Sequence, residues 1–327
     1  MDANVAVTRQ IPQSGIDLLR AHCSRVDVSP HVRSLTRSEF LEMIAGRDGV
    51  LTELSNRLDD EAFDAAGPQC KVFANYAVGF NNVDLAAATR RGIVITNTPD
   101  VLTETTADLA WALIMASARR IVESDRFLRT GQWDGWGPMQ FHGLDVHGAM
   151  LGIIGAGRIG KAVARRSVGF DMKVLYYDVV ADANPDLDAM GARRVELDEL
   201  LRESDFVSIH VPLTDRTHHL IGRAELERMK STAHLINTAR GPVIDEPALV
   251  EALRSGTIAG AGLDVFENEP EIAPGLIELD NVVCLPHIGS ASAATRAKMS
   301  ELAASNLLAV LQGQRPHTPV NPEVLDR

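Results

Sequence analysis

Met150-Leu151-Gly152-Ile153-Ile154-Gly155-Ala156-Gly157-Arg158-Ile159-Gly160 decides how this chain is read. An apolar run of strand length meets a G-x-G-x-x-G, and a helical pattern from Lys161 to Val168 follows. The glycines alone are weak evidence; strand, tight turn and helix in that order form the context a dinucleotide pyrophosphate needs. Gly155 allows the turn, Gly157 lets the backbone approach the phosphates, and Gly160 lets the helix pack closely on the strand. The first-turn amides of the helix, from Arg158 and Ile159 onward, then meet the anion together with the positive end of the helix dipole.

Working outward, the next apolar run, Lys173 to Tyr177, ends at Asp178. That is the position of a ribose-binding acid, about 20 residues beyond the glycines. A carboxylate there accepts from both ribose hydroxyls and repels a 2′-phosphate. Val179 and Val180 follow with no adjacent Arg, so NAD, with NADH preferred over NADPH, is the expected cofactor. Further strands are predicted at 206–210, 233–237, 259–263 and 282–285. Between two of them lies a helix capped by Asp245, with Pro247 in its first turn and Gly256 at its end.

Upstream, Asn4–Val7, Gly49–Leu51 and Lys71–Ala74 alternate with helical patterns at Pro12–Ala21, Asp59–Ala66 and Val83–Arg91. Strands alternating with helices predict a parallel sheet. One long helix is predicted over Thr103–Thr130, then an irregular stretch from Gly131 to Gly148. A last helix, Ser292–Leu311, can pack back on the first domain. The expectation is therefore an α/β chain of two domains. Residues 1–100 with 286–327 form a discontinuous substrate domain, and residues 101–285 an inserted Rossmann domain.

The 327 residues are ample for two cores, and 45% apolar with 23% charged is ordinary for a globular protein. A formal net charge of −12 excludes a nucleic-acid surface built on clustered Lys and Arg. No apolar stretch reaches the roughly 18 residues of a membrane span, and the first residues show no signal-peptide pattern. Cys23, Cys70 and Cys284 have no paired spacing, which points to reduced thiols and a cytoplasmic location.

Three motifs each follow a predicted strand: Asn237-Thr238-Ala239-Arg240-Gly241, Gly262 to Pro270, and Pro286-His287-Ile288-Gly289-Ser290. Ligands of open α/β sheets bind outside the carboxyl ends of strands. Reducing a 2-keto acid needs a cation for the carboxylate and carbonyl, and an acid for the developing alkoxide. Arg240 offers a planar fork. His287 offers an imidazole, which can donate a proton on reduction and accept one on oxidation. Glu269 beside it would stabilise the imidazolium.

Taken with the glycine loop, these strings resemble the D-2-hydroxyacid dehydrogenases over nearly the whole chain. The resemblance implies a flavodoxin-like substrate domain around an inserted Rossmann domain, and a homodimer. It implies that Asn75 to Asp84 is a substrate loop whose amides at Val78 and Gly79 hold a carboxylate. Thr106 would lie near the nicotinamide, Asp264 would hold its carboxamide, and Val211 and Pro212 would flank the adenine. Thr238, Ala239, Arg240, His287 and Gly289 complete the implied cofactor contacts. Gly135-Trp136-Gly137-Pro138 resembles the glyoxylate/hydroxypyruvate reductase branch, in which Trp136 would reach the partner's site. Leu54, Phe80 and Trp136 are candidate pocket walls.

Other readings stay open. A 3-phosphoglycerate dehydrogenase would call for extra basic groups, with Arg57 the one obvious candidate. A D-lactate-type enzyme is another, and outside the enzymes a related co-repressor that binds NAD. No metal site is expected: His218 and His219 are adjacent rather than one helical turn apart. His210 reads as structural, and His142 and His147 as solvent or packing residues.

Overall fold

Short, buried strands alternate with helices in the computed structural model, which describes residues 1–179 and 184–326. Two units emerge: Met1–Leu102 with Ser290–Arg327, and Thr103–Gly289.

The first unit holds β1 (Asn4–Val7), β2 (Arg25–Val28), β3 (Gly49–Thr52), β4 (Val72–Asn75) and β5 (Val94–Thr96). All are parallel, in the order β2-β1-β3-β4-β5. That is the flavodoxin-like order. The interior strands β3 and β4 are buried along their whole length, and Phe40, Phe63, Phe73 and Ile95 fill one side of the sheet. The helix Ala293–Leu311 returns to this unit, capped by Ser292, which accepts from the Thr295 amide. Ser300 Oγ donates to the Pro12 carbonyl at 2.8 Å and Tyr76 Oη to the Arg296 carbonyl at 2.7 Å, tying the late helix to the early chain.

The second unit holds β6 (Met150–Ile154), β7 (Lys173–Tyr177), β8 (Arg193–Arg194), β9 (Phe206–Ile209), β10 (His234–Asn237), β11 (Gly260–Leu263) and β12 (Val282–Cys284). Their order is β12-β11-β10-β9-β6-β7-β8, again parallel throughout. This is the doubly wound Rossmann order with one strand added. Neighbouring residues go to different cores: Ile154 and Leu175 to one, Ile153, Val174 and Tyr176 to the other. The sheet is therefore covered on both faces, which explains why its strands read as unbroken apolar runs.

The long helix expected over 103–130 is two helices, Thr103–Ala118 and Ile121–Arg129. Arg120 adopts a left-handed backbone, φ 50°, and the Leu144 amide takes the Ala118 carbonyl at 2.9 Å. A carbonyl engaged from outside no longer serves the next helical turn. Of the described residues, no helix is long and apolar enough to cross a membrane.

Candidate active site

Every second-unit residue singled out for cofactor or chemistry, apart from Thr106 and Trp136, follows the C-terminal end of a parallel strand. The glycine loop follows β6 and Asp178 follows β7; Val211 follows β9, Arg240 β10, Asp264 β11 and His287 β12. The strand order reverses between β6 and β9, the switch point where such sheets bind ligands.

At the glycine loop, a Cβ on Gly160 would stand 2.0 Å from the Gly155 carbonyl oxygen, so the helix packs where no side chain fits. Around Gly157 nothing lies within 4 Å of that position, which leaves room for a phosphate. The helix Arg158–Ser167 starts with no side-chain cap. Asp178 accepts from the Ala156 amide at 2.7 Å. The Thr238 hydroxyl is buried with no partner among the described residues. A glycine cradle, a strand-end acid and an orphaned hydroxyl together fit a nicotinamide dinucleotide.

One part of the cofactor reading needs correction. No Arg is adjacent to Asp178 in sequence, but β8 brings Arg194 to it, with Nη2 donating to the Asp178 carbonyl at 3.2 Å. Pairing of β7 with β8 makes neighbours of residues far apart in the chain. Val180 lies outside the described residues.

The chemical end is built on β10 to β12. Asn237 closes the turn before Arg240: its Nδ2 donates to the Arg240 carbonyl at 2.9 Å, and its Oδ1 accepts from the Ala239 amide at 3.0 Å. A Cβ on Gly241 would meet the Phe266 carbonyl carbon at 1.8 Å. Glycine is thus required there so that the Arg240 turn can lie against the segment carrying Glu269. Arg240 is half-buried, and its Nη1 donates to the Ala239 carbonyl at 2.6 Å. Burial draws its pKa below the ordinary value while Glu269 pushes it up. A guanidinium still keeps its charge at neutral pH.

Glu269 Oε1 accepts from the Phe266 amide at 3.0 Å and Oε2 lies 2.8 Å from His287 Nδ1. Burial alone would raise this carboxyl; the His287 bond and charge, the Phe266 amide and Arg240 outweigh it and hold the pKa below its ordinary value. An ionised carboxylate only accepts, so Nδ1 is the donor and Nε2 is left facing away from Glu269. His287 has a left-handed backbone, φ 54°. Asp264, 1% exposed, holds that turn. Its oxygens accept from the Ile288 and Gly289 amides, both at 2.7 Å, and its carbonyl accepts from the His287 amide at 2.9 Å. Burial raises Asp264 to about 6 against the opposing pull of the two amides and His287. Thr106 Oγ1 donates to the Gly289 carbonyl at 3.2 Å.

Sequence reasoning missed three of these supports. In the sequence Asn237 is only one residue of its motif, Asp264 reads only as a cofactor ligand, and Glu246 stands in no motif. Only 4% exposed, it accepts from the Glu267 amide and, at 3.2 Å, from the Ala273 amide, clamping both sides of Glu269. Carboxylates that grip backbone amides leave no spacing signal in a sequence.

In the first unit, Leu54 follows β3, and Val78, Gly79 and Phe80 follow β4. Asn97 Nδ2 donates to the Val78 carbonyl at 2.8 Å and Asn75 Nδ2 to the Gly79 carbonyl at 3.0 Å. Among the described residues the amides of Val78 and Gly79 have no acceptor. Arg57 pairs with Asp59 at 3.2 Å. In the irregular segment of the second unit, Trp136 is 83% exposed. His210 is half-buried, its pKa pushed down to about 3 by desolvation, with Nε2 2.8 Å from Ser208 Oγ. His218 and His219, adjacent in sequence, stand with Glu267 so that three potential ligand atoms lie within 4.8 Å of one another.

Residues 111–289 match the D-isomer specific 2-hydroxyacid dehydrogenase, NAD binding domain family. A glyoxylate reductase of Thermococcus gammatolerans is 51% identical over 99% of this chain and 98% of its own length. The chain belongs to the D-isomer specific 2-hydroxyacid dehydrogenase family, a family of NAD-binding oxidoreductases. Among solved structures, a glyoxylate reductase from Paecilomyes thermophila superposes with a TM-score of 0.86 at 33% identity, covering 99% of this chain and 100% of that one. An NADPH-dependent glyoxylate/hydroxypyruvate reductase from Sinorhizobium meliloti, in complex with NADP and malonate, gives 0.83 at 34% identity, covering 98% and 97%.

Proposed function

We propose that this chain reduces glyoxylate or hydroxypyruvate to the 2-hydroxy acid, with NADH as the preferred donor. The carrying observation is the His287–Glu269 pair, 2.8 Å apart and close to Arg240, on the sheet edge that also bears the glycine cradle. Relatives named glyoxylate reductase at about half identity support the substrate class.

The cradle residues divide the cofactor between them. Amides from Gly155 to Gly160, including Arg158 and Ile159, take the pyrophosphate, and Asp178 takes the adenine ribose. Val211 and Pro212 flank the adenine. Thr106, Thr238, Ala239, Asp264 and Gly289 serve the nicotinamide end. When bound, the nicotinamide supplies the hydride.

The remaining chemistry belongs to the chain. Arg240 binds the substrate carboxylate and polarises the carbonyl. Protonated His287 gives its Nε2 proton to the carbonyl oxygen as charge develops there. Glu269 fixes Nδ1–H and favours the charged ring. Asp264 and Glu246 act through these groups, holding the turns that carry them. In the first unit, the Val78 and Gly79 amides are the candidates for carboxylate binding, with Leu54 and Phe80 for apolar contact.

Asp178 disfavours a 2′-phosphate, while Arg194 beside it tempers the exclusion, so some turnover with NADPH is expected. Trp133, Trp136 and Met139 expose apolar surface in one irregular segment, the surface a second copy would cover in a homodimer. The three cysteines are unpaired, in keeping with a reducing compartment.

Initial rates with NADH and NADPH on glyoxylate, hydroxypyruvate, pyruvate and phosphohydroxypyruvate test the reading. Fast turnover of either of the first two supports it. Preference for phosphohydroxypyruvate overturns the substrate, and no turnover with NADH still bound overturns the reaction.

A further inference from the structure

His218 and His219 are neighbours in sequence, and in extended backbone their side chains would point to opposite sides. They do not. His219 takes a left-handed backbone, φ 49°, and the two rings stack with centroids 4.0 Å apart and planes 28° from parallel. The backbone holds this turn from both sides. The His218 amide donates to the Thr214 carbonyl at 2.9 Å, and the His219 amide to the Pro242 carbonyl at 2.8 Å.

Glu267 closes the group, with Oε1 lying 2.7 Å from His219 Nε2. Its second oxygen accepts from the Glu246 amide at 3.3 Å, the kind of outer contact that orients a metal-binding carboxylate. Two imidazoles and one carboxylate offer ligand atoms within 4.8 Å of one another, the histidines exposed and Glu267 half-buried. Around a tetrahedral ion with ligands at about 2.0–2.2 Å, ligand atoms stand roughly 3.3–3.6 Å apart. Closing the difference takes about 1 Å of movement, which the two exposed histidines can supply. Two nitrogens and one carboxylate oxygen, with a position left for water, suit a borderline ion of zinc's kind better than magnesium or calcium, which favour all-oxygen shells.

We propose that His218, His219 and Glu267 form a binding site for a divalent transition ion, distinct from the Arg240–Glu269–His287 group. The ion would replace the proton now shared between His219 and Glu267 and leave its fourth position to solvent. Glu267 stands two residues before Glu269, so the ion would also stiffen the segment that carries the acid's partner.

Calorimetric titration of zinc chloride into the full, thiol-reduced chain is the test, run beside the double variant His218→Ala/His219→Ala. One equivalent bound by the natural chain and lost in the double variant supports the site. His219→Gln keeps a side-chain partner for Glu267 and guards against a folding defect; its zinc affinity is expected to fall by about tenfold or more. Cobalt absorption separates this group from the cysteines, because nitrogen and oxygen ligands give no thiolate charge-transfer band. Equal zinc binding by all variants, a thiolate band, or no binding at about millimolar zinc overturns the proposal.

Discussion

The two parallel sheets end their strands in loops of very different chemistry. Beyond β3 and β4, the first sheet offers Leu54, Phe80 and two amides, at Val78 and Gly79, that are unengaged among the described residues and whose carbonyls are held by asparagines. Beyond β10, β11 and β12, the second sheet sets out Arg240, Asp264, Glu269 and His287, four titratable groups linked through backbone amides and one another. A neutral amide binds an anion without changing protonation. A charged cluster must be held against burial and repulsion, hence the clamps from Asn237, Glu246 and Asp264. In the proposed reaction, proton transfer falls to the second sheet and anion positioning to the first.

Replacing His287 attacks that division most directly. His287→Gln is expected to lower kcat by about 10²–10⁴-fold, the usual contribution of a general acid. NADH affinity, read by fluorescence titration, should change far less. Near-normal kcat would break the comparison, because the proton would then come from elsewhere.

Glu269→Gln sharpens it. The Glu269 carboxyl titrates below its ordinary value of 4.5, so it is charged throughout the neutral range. Stability drawn from its pairing is fully present above that ordinary value and is lost as pH falls through the lowered one. The glutamine variant should lose this acid-limb dependence in pH unfolding. Its reductive kcat should fall as well while NADH affinity holds, since the amide leaves His287 Nδ1 without its charged partner. An unchanged kcat would leave Glu269 a structural acid.

A smaller effect belongs to the opposite end of the same sheet. Asp178→Ser removes the carboxylate while Arg194 remains 3.2 Å from the strand-end carbonyl. The ratio of kcat/KM for NADPH over NADH should rise by about tenfold or more, a change of roughly 1.4 kcal/mol. No change would take Asp178 out of the ribose role.

What the sequence made legible follows the same physics. β6 and β7 are buried on both faces and read as apolar runs, and the glycine loop joins the first of them to a helix. Their order could be argued before any coordinates. β2, Arg25-Val26-Asp27-Val28, and β8, two arginines, lie at sheet edges with polar composition and gave no such signal. Missing β8 hid Arg194 from Asp178. The catalytic candidates were legible because arginine, glutamate and histidine stood in strings with a chemical purpose. Their supports were not, since Asp264 and Glu246 act on amides brought near only by folding. The stacking of His218 on His219 depends on one left-handed residue that no spacing announces.

Trp136 carries the least expected effect and the sharpest test of how much the charged sheet does alone. At 83% exposure it leaves a large apolar face in water, and Trp133 and Met139 in the same segment are exposed as well. If a second copy covers it and it contributes an apolar wall to that copy's substrate site, Trp136→Ala should raise KM for the keto acid. The order of preference between glyoxylate and hydroxypyruvate should shift as well, within the ~1–3 kcal/mol that such contacts supply. Neither kcat nor the KM for NADH should follow, because the proton donor and the cradle remain intact. Unchanged KM and preference would detach Trp136 from the substrate. A fall in kcat of the size expected for His287→Gln would mean that chemistry depends on the irregular segment as much as on the strand ends.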